Sequence, residues 1–165
     1  MPSLPATFAE DVINLPAQAQ FEAFLDEHRG QLSRCLDGLT EEQARRSLVP
    51  SLTTLLGLVK HATFLEKVWF DEAVTGRSRA EIGIPEVSGD SFILDDDDTI
   101  ASVVRAHREA CESSRRAVSS LGLDDILHGY RRGPVPLRWV YLHVLRELAQ
   151  HGGHADILRE QVLSG

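Results

Sequence analysis

The stretch Leu142-His143-Val144-Leu145-Arg146-Glu147-Leu148-Ala149-Gln150-His151-Gly152-Gly153-His154 decides how this chain reads. On a helix each residue turns by about 100°, so residues four apart differ by only about 40° and share a face. His143, Glu147, His151 and His154 then form one stripe. Val140, Val144 and Leu158 fall in the same angular sector, which points the stripe at the core. Imidazoles and a carboxylate on a buried face need partners, because an unpaired buried polar group is costly. A divalent metal is a partner that takes neutral imidazole nitrogen and carboxylate oxygen together. Glu147 and His151, one turn apart, are spaced to share such an ion.

Outward from that stretch, Leu137 to about Leu163 reads as a last helix. Before it lies a loop holding His128, Gly129, Gly133, Pro134 and Pro136. Thr99 to about Leu121 reads as a third helix, with Ile100, Val104, His107, Cys111, Ser114 and Val118 inward and Gly122 as its stop. A second helix spans about Thr53 to Thr75, with Leu55, Leu58, Ala62, Leu65 and Trp69 on one face and Gly76 beyond its end. His61 shares that face and is the best candidate for a third ligand. Phe21, Leu25, His28, Leu32 and Leu36 mark a first helix, stopped near Gly38. Thr40 with Gln43 is a capping-box pattern opening a short helix to about Ser47, and Pro50 closes it. Arg77 to Asp97 remains as a long crossover ending in an acidic run, Asp95 to Asp98, which reads as charge favouring the next helix's dipole. The expectation is an all-α, four-helix bundle with that crossover between helices two and three. One domain is expected over residues 1–165, with its core at about 17–163.

Composition narrows the function. A formal net charge of −8 without a basic patch speaks against a phosphate-backbone partner, so no nucleic acid is expected. No segment approaches a membrane span. Met1 to Asp11 lack a basic start and an apolar run, so a secretory leader is not expected and the cytoplasm is. Cys35 and Cys111 sit on apolar helix faces and read as reduced core thiols. A Gly-rich phosphate loop, a paired CxxC, GxSxG and HExxH are all absent.

Isolated His28 and His107 read as satisfied core histidines, since a lone His on an apolar face usually finds a hydrogen bond. His128 reads as a loop residue, and Trp69 and Trp139 as core or rim packing. His143 and His154 each fit as ligand, ligand-supporting group or pocket wall, and are the candidate catalytic residues. A site of His61, Glu147 and His151 would keep open positions, as catalytic metal sites do.

The run Leu137-Arg138-Trp139-Val140-Tyr141-Leu142-His143, with Glu147 and His151 to Glu160, resembles the mycothiol-transferase-like branch of the DinB superfamily. Leu39-Thr40-Glu41-Glu42-Gln43-Ala44-Arg45 and Leu55-Leu56-Gly57-Leu58-Val59-Lys60-His61 match the same branch, and the likeness spans about Phe21 to Leu163. The resemblance implies a four-helix bundle holding a divalent metal on one His of helix two and two residues of helix four. Its His, Glu and His, as in mycothiol-dependent maleylpyruvate isomerase, fall on His61, Glu147 and His151. That isomerase carries an added C-terminal domain which this sequence lacks, so isomerase activity is not carried over, nor are thiol-binding residues. The implied activity is thiol transfer with a low-molecular-weight thiol such as mycothiol as co-substrate and a small electrophile as acceptor.

Three functions stand at this stage. The first is a metal-dependent thiol S-transferase, with a substrate lying between helices two, three and four beside the small residues of helix three. A metal-dependent hydrolase and a non-catalytic metal-binding stress protein are the alternatives. Zinc or nickel suits the donors best, and a homodimer is one assembly the sequence allows.

Overall fold

The computed structural model describes residues 10–164; most of the stretch read for a leader lies outside them. It is helical apart from a two-stranded antiparallel ribbon. A 3-10 turn (Glu10–Val12) precedes α1 (Ala17–Arg34) and α2 (Glu41–Arg45). Then come α3 (Leu55–Lys67), a π turn (Val68–Glu72), α4 (Ala73–Thr75) and α5 (Arg79–Ile82), a second 3-10 turn (Ser88–Phe92), and α6 (Ile100–Val118). The ribbon pairs β1 (Ile126–Leu127) with β2 (Val135–Pro136), and α7 (Leu137–Ser164) follows.

The helix starts follow from local chemistry. Thr40 and Gln43 form the expected capping box, Thr54 caps α3 by accepting from the Gly57 N–H, and Thr99 with Ser102 caps α6. Gly76 ends α4 in the left-handed conformation. The second helix, expected to be uninterrupted from Thr53 to Thr75, runs through the π turn, which is the sort of insertion sequence periodicity does not reveal. Val68, Trp69, Phe70 and Glu72 of that turn are all buried.

The acidic run does more than its composition suggests. Asp95 and Asp98 bind the Lys60 ammonium on α3 at 2.8 and 2.7 Å, and the carboxylate accepting from the Ile100 N–H is Glu41, at 3.0–3.1 Å. Charge at the start of α6 therefore comes from α2 as well as from the run before it, and the run also straps the crossover to α3.

α7 packs chiefly on α1 and also on α3, whereas α6 packs on α3 and more lightly on α1. The apolar core is built from Leu25, Leu32, Leu55, Leu58, Val59, Leu137, Val144 and Leu148 with their neighbours. Within it lies a bidentate ion pair invisible in the sequence: Arg29 Nε and Nη2 donate to both Glu66 oxygens at 2.8 and 2.7 Å. Breaking such a buried pair from one side costs about 3–5 kcal/mol, so it ties α1 to α3.

Candidate functional site

The buried residues of α7 (Leu137, Val140, Tyr141, Val144, Leu148, Ala155, Leu158, Val162) define the centre of its inward face. Measured from that centre, the helical wheel puts His151 about 30° off, Glu147 about 70°, His154 about 90° and His143 about 110°. The stripe thus borders the core and does not point into it, correcting the expectation. Side-chain exposure follows the same order for the inner pair, 13% for His151 and 23% for Glu147. His154 is fully on the surface.

Across the helix interface stands His61 of α3, 4% exposed. One donor atom from each of His61, Glu147 and His151 lies within 4.8 Å of the others. The two imidazoles meet edge to face with centroids 4.8 Å apart, and His151 Nε2 is 3.7 Å from a Glu147 oxygen.

His61 and Glu147 are held from outside. Ser91 Oγ donates its single proton to the Ser88 carbonyl at 2.5 Å, so toward His61 Nδ1, 2.6 Å away, it can only accept. His61 therefore carries its proton on Nδ1 and leaves Nε2 with a free lone pair. Phe92 lies flat on the same ring at 4.0 Å and fixes its plane. Gly57 helps here: a Cβ there would crowd the Phe92 carbonyl and Thr54 Oγ1, each at 3.0 Å, so glycine lets the crossover settle closely over the first turn of α3. Arg146 Nη2 donates to Glu147 Oε1 at 2.9 Å and to His143 Nδ1 at 3.0 Å.

The electrostatics favour neutral imidazole. Burial, with His151 nearby, pushes the His61 pKa down to about 3, and burial also lowers that of His151. Among the described residues His151 Nδ1 is the one buried side-chain nitrogen or oxygen without a hydrogen-bond partner. Buried polar atoms are ordinarily paired. Two neutral imidazoles, a carboxylate and an orphaned nitrogen make a donor set that suits a divalent ion.

His143 sits elsewhere. Its ring stacks on Trp139 at 4.8 Å and 6°, with Trp69 edge-on at 4.5 Å. Since its Nδ1 accepts from Arg146, it forms a wall beside the cluster. His154 stays 5.8 Å from His151, ring to ring. α7 stays helical through Gly152 and Gly153. Gly152 marks where α1 approaches, with Gln31 Oε1 only 3.0 Å from where a Cβ would stand.

Helix three does not line this cluster. His107 Nδ1 pairs with Ser33 Oγ of α1 at 3.0 Å, Cys111 Sγ lies 3.5 Å from His107 Nε2, and Ser114 bonds back to Ala110. The patch expected to face the metal faces α1, because α6 packs on α3 and α1 and not mainly on α7. A cavity of about 580 Å³ lies between α3, the crossover and α6, walled by Phe64, Ile84 and Val103, and shares with the cluster's surroundings Ser91 and Phe64, both of which touch His61. His28 pairs with Gln31, and His128 is an exposed loop residue, as expected.

Sequence reasoning missed Ser91, Phe92 and Arg146. The first two lie in a crossover without periodicity, and only the closeness of Glu147 hinted at the third. No helix of the described residues is long and apolar enough to cross a membrane. Comparison with curated proteins finds no match. The mycothiol-S-transferase family model matches residues 20–163, most of the chain, and the protein accordingly belongs to that family.

Proposed function

We propose that this protein is a divalent-metal-dependent thiol S-transferase whose metal is held by His61, Glu147 and His151. The observation that carries the reading is the convergence of these three side chains on one point, with a buried His151 nitrogen left unpaired. An ion bound there would keep a small thiol deprotonated near neutral pH. Zinc or nickel fits two imidazoles and a carboxylate, and mycothiol is the co-substrate the family points to.

This chain's residues divide the remaining tasks. Ser91 and Phe92 orient His61, Arg146 holds one oxygen of Glu147, and the Trp139–His143 stack walls the approach. Neither cysteine supplies a nucleophile: burial pushes both thiols up to about 12. Two free buried thiols also fit the reducing cytoplasm, where we place the protein. We read its four long helices as the family's four-helix bundle with a crossover.

A metal-dependent hydrolase would need a general base beside the site. His143 Nδ1 is engaged by Arg146 and His154 faces solvent, which favours transfer over hydrolysis. The test is metal analysis of purified protein, followed by conjugation of a general electrophile with mycothiol and other small thiols. Glu147→Ala serves as control. Thiol-dependent turnover that disappears in Glu147→Ala supports the reading. Equal rates for the two proteins, or no thiol-dependent turnover, would move it to a hydrolase or a binding protein.

A further inference from the structure

Trp139, His143, Glu147 and His151 are successive members of one four-residue ridge along α7. Two of them belong to the metal cluster and the other two form an aromatic stack. Trp139 is 43% exposed although it is among the largest apolar side chains in the protein. It is nonetheless fixed: His143 covers it at 4.8 Å and 6°, and Trp69 meets it at 5.3 Å and 60°. Trp69 is itself buried and packed by Tyr130 at 4.6 Å. A large ring locked in place yet open to water is a preorganised stacking surface, since binding on it costs little side-chain entropy.

The ridge also sets a length. At 1.5 Å per residue, Trp139 lies about 12 Å along the helix from Glu147. Arg146 lies between, bonded to both His143 and Glu147 and otherwise exposed, so its other N–H groups are free for a polar linker. A ligand whose sulfur sits at the cluster would need a body of that length to reach the stack. Cysteine itself is too short.

We propose that the Trp139–His143 stack is the subsite for the ring-bearing tail of the thiol, a ring with an apolar C–H face such as a sugar presents. This rests on the transferase reading above and adds what selects the thiol. The alternative source of such a ring is an aromatic electrophile.

Trp139→Leu and Trp139→Phe separate these cases, assayed with mycothiol and with N-acetylcysteine, which has the sulfur but no ring. In Trp139→Leu the ratio of kcat/KM for mycothiol to that for N-acetylcysteine should fall about 3- to 10-fold, the usual worth of one aromatic stack. The fall should lie in the KM for mycothiol, and Trp139→Phe should recover most of it. An unchanged ratio overturns the proposal. A rise in the KM of an aromatic electrophile, with that of mycothiol unmoved, overturns the assignment to the thiol. Calorimetric titration of metal-loaded protein with mycothiol gives a reading independent of turnover. Binding weakened by Trp139→Leu without any turnover sinks the transferase reading and keeps the subsite, whereas turnover with unweakened binding does the reverse.

Discussion

His107 and His151 announce themselves alike in the sequence, each an imidazole on the apolar side of a long helix. The structure separates them. His107 is fully enclosed and has a partner on each ring nitrogen, Ser33 and Cys111. His151 is less enclosed, yet its Nδ1 has no partner, and a carboxylate and a second imidazole stand beside it. Burial by itself therefore does not mark a functional histidine. What marks it is a buried nitrogen left unpaired where other donors converge, because a folded chain normally satisfies such atoms.

The largest effects should come from removing one imidazole of the cluster and, separately, His107. His61→Ala removes a donor from the cluster and should lower metal affinity by more than the 10- to 100-fold typical of losing an outer partner, about two decades or beyond. His107→Ala should leave metal content unchanged and lower the melting temperature instead. Metal titration and thermal unfolding of the two variants check this. Full metal affinity in His61→Ala would erase the contrast.

Stability should also separate them by pH. Burial holds His107 down to about 4 and His61 down to about 3, so both are neutral in the folded protein at pH 5. The unfolded chain takes up those protons below about 6.5. The unfolded state thus binds more protons in this window, and stability rises with pH. Their contribution is complete above about pH 6.5 and is lost as pH falls from there toward 4 and 3. His107→Leu should cost about 0.5–1.5 kcal/mol at neutral pH by removing the hydrogen bond to the partly buried Ser33. It should also flatten the pH dependence between about 4 and 6.5. Denaturant unfolding at pH 5 and pH 7 measures both. An unchanged slope would mean that His107 titrates normally.

The sequence revealed most where periodicity and side-chain chemistry coincide. Helix positions, the Thr40 capping box, and the candidates His61, Glu147 and His151 were legible because each follows from spacing along one helix. Which helix faces which was not. Cys111 and Ser114 were assigned to the metal side, yet α6 turns them toward α1, and nothing local encodes that choice. Arg29 and Glu66, 37 residues apart, meet only through packing, which no local spacing encodes. Ser91 lay in a crossover whose path depends on Gly57 and on the strap from Lys60 to Asp95 and Asp98.

Ser91 offers a finer cut through the same contrast, since it holds His61 much as Ser33 holds His107. Ser91→Ala frees the His61 tautomer and ring. Metal affinity should fall about 10- to 100-fold with the fold intact. The matching Ser33→Ala should leave metal affinity alone. Equal metal binding in wild type and Ser91→Ala would show that Phe92 alone orients the ring.

The smallest effect is expected at His154, which shares the ridge side of α7 but none of the enclosure. It stands about 90° from the centre of the buried face, against about 30° for His151, and its ring is exposed. α7 stays helical through Gly152 and Gly153, and His154 remains exposed. His154→Ala should therefore keep metal affinity within about twofold, as a surface substitution does. Its ring, 5.8 Å from that of His151, is close enough to touch a substrate entering from solvent. Any change should then appear in turnover or substrate preference and not in metal content. Measuring both on one preparation decides the matter. Loss of metal in His154→Ala, with His61 intact, would make His154 a ligand and show that the cluster draws on the exposed edge of the helix.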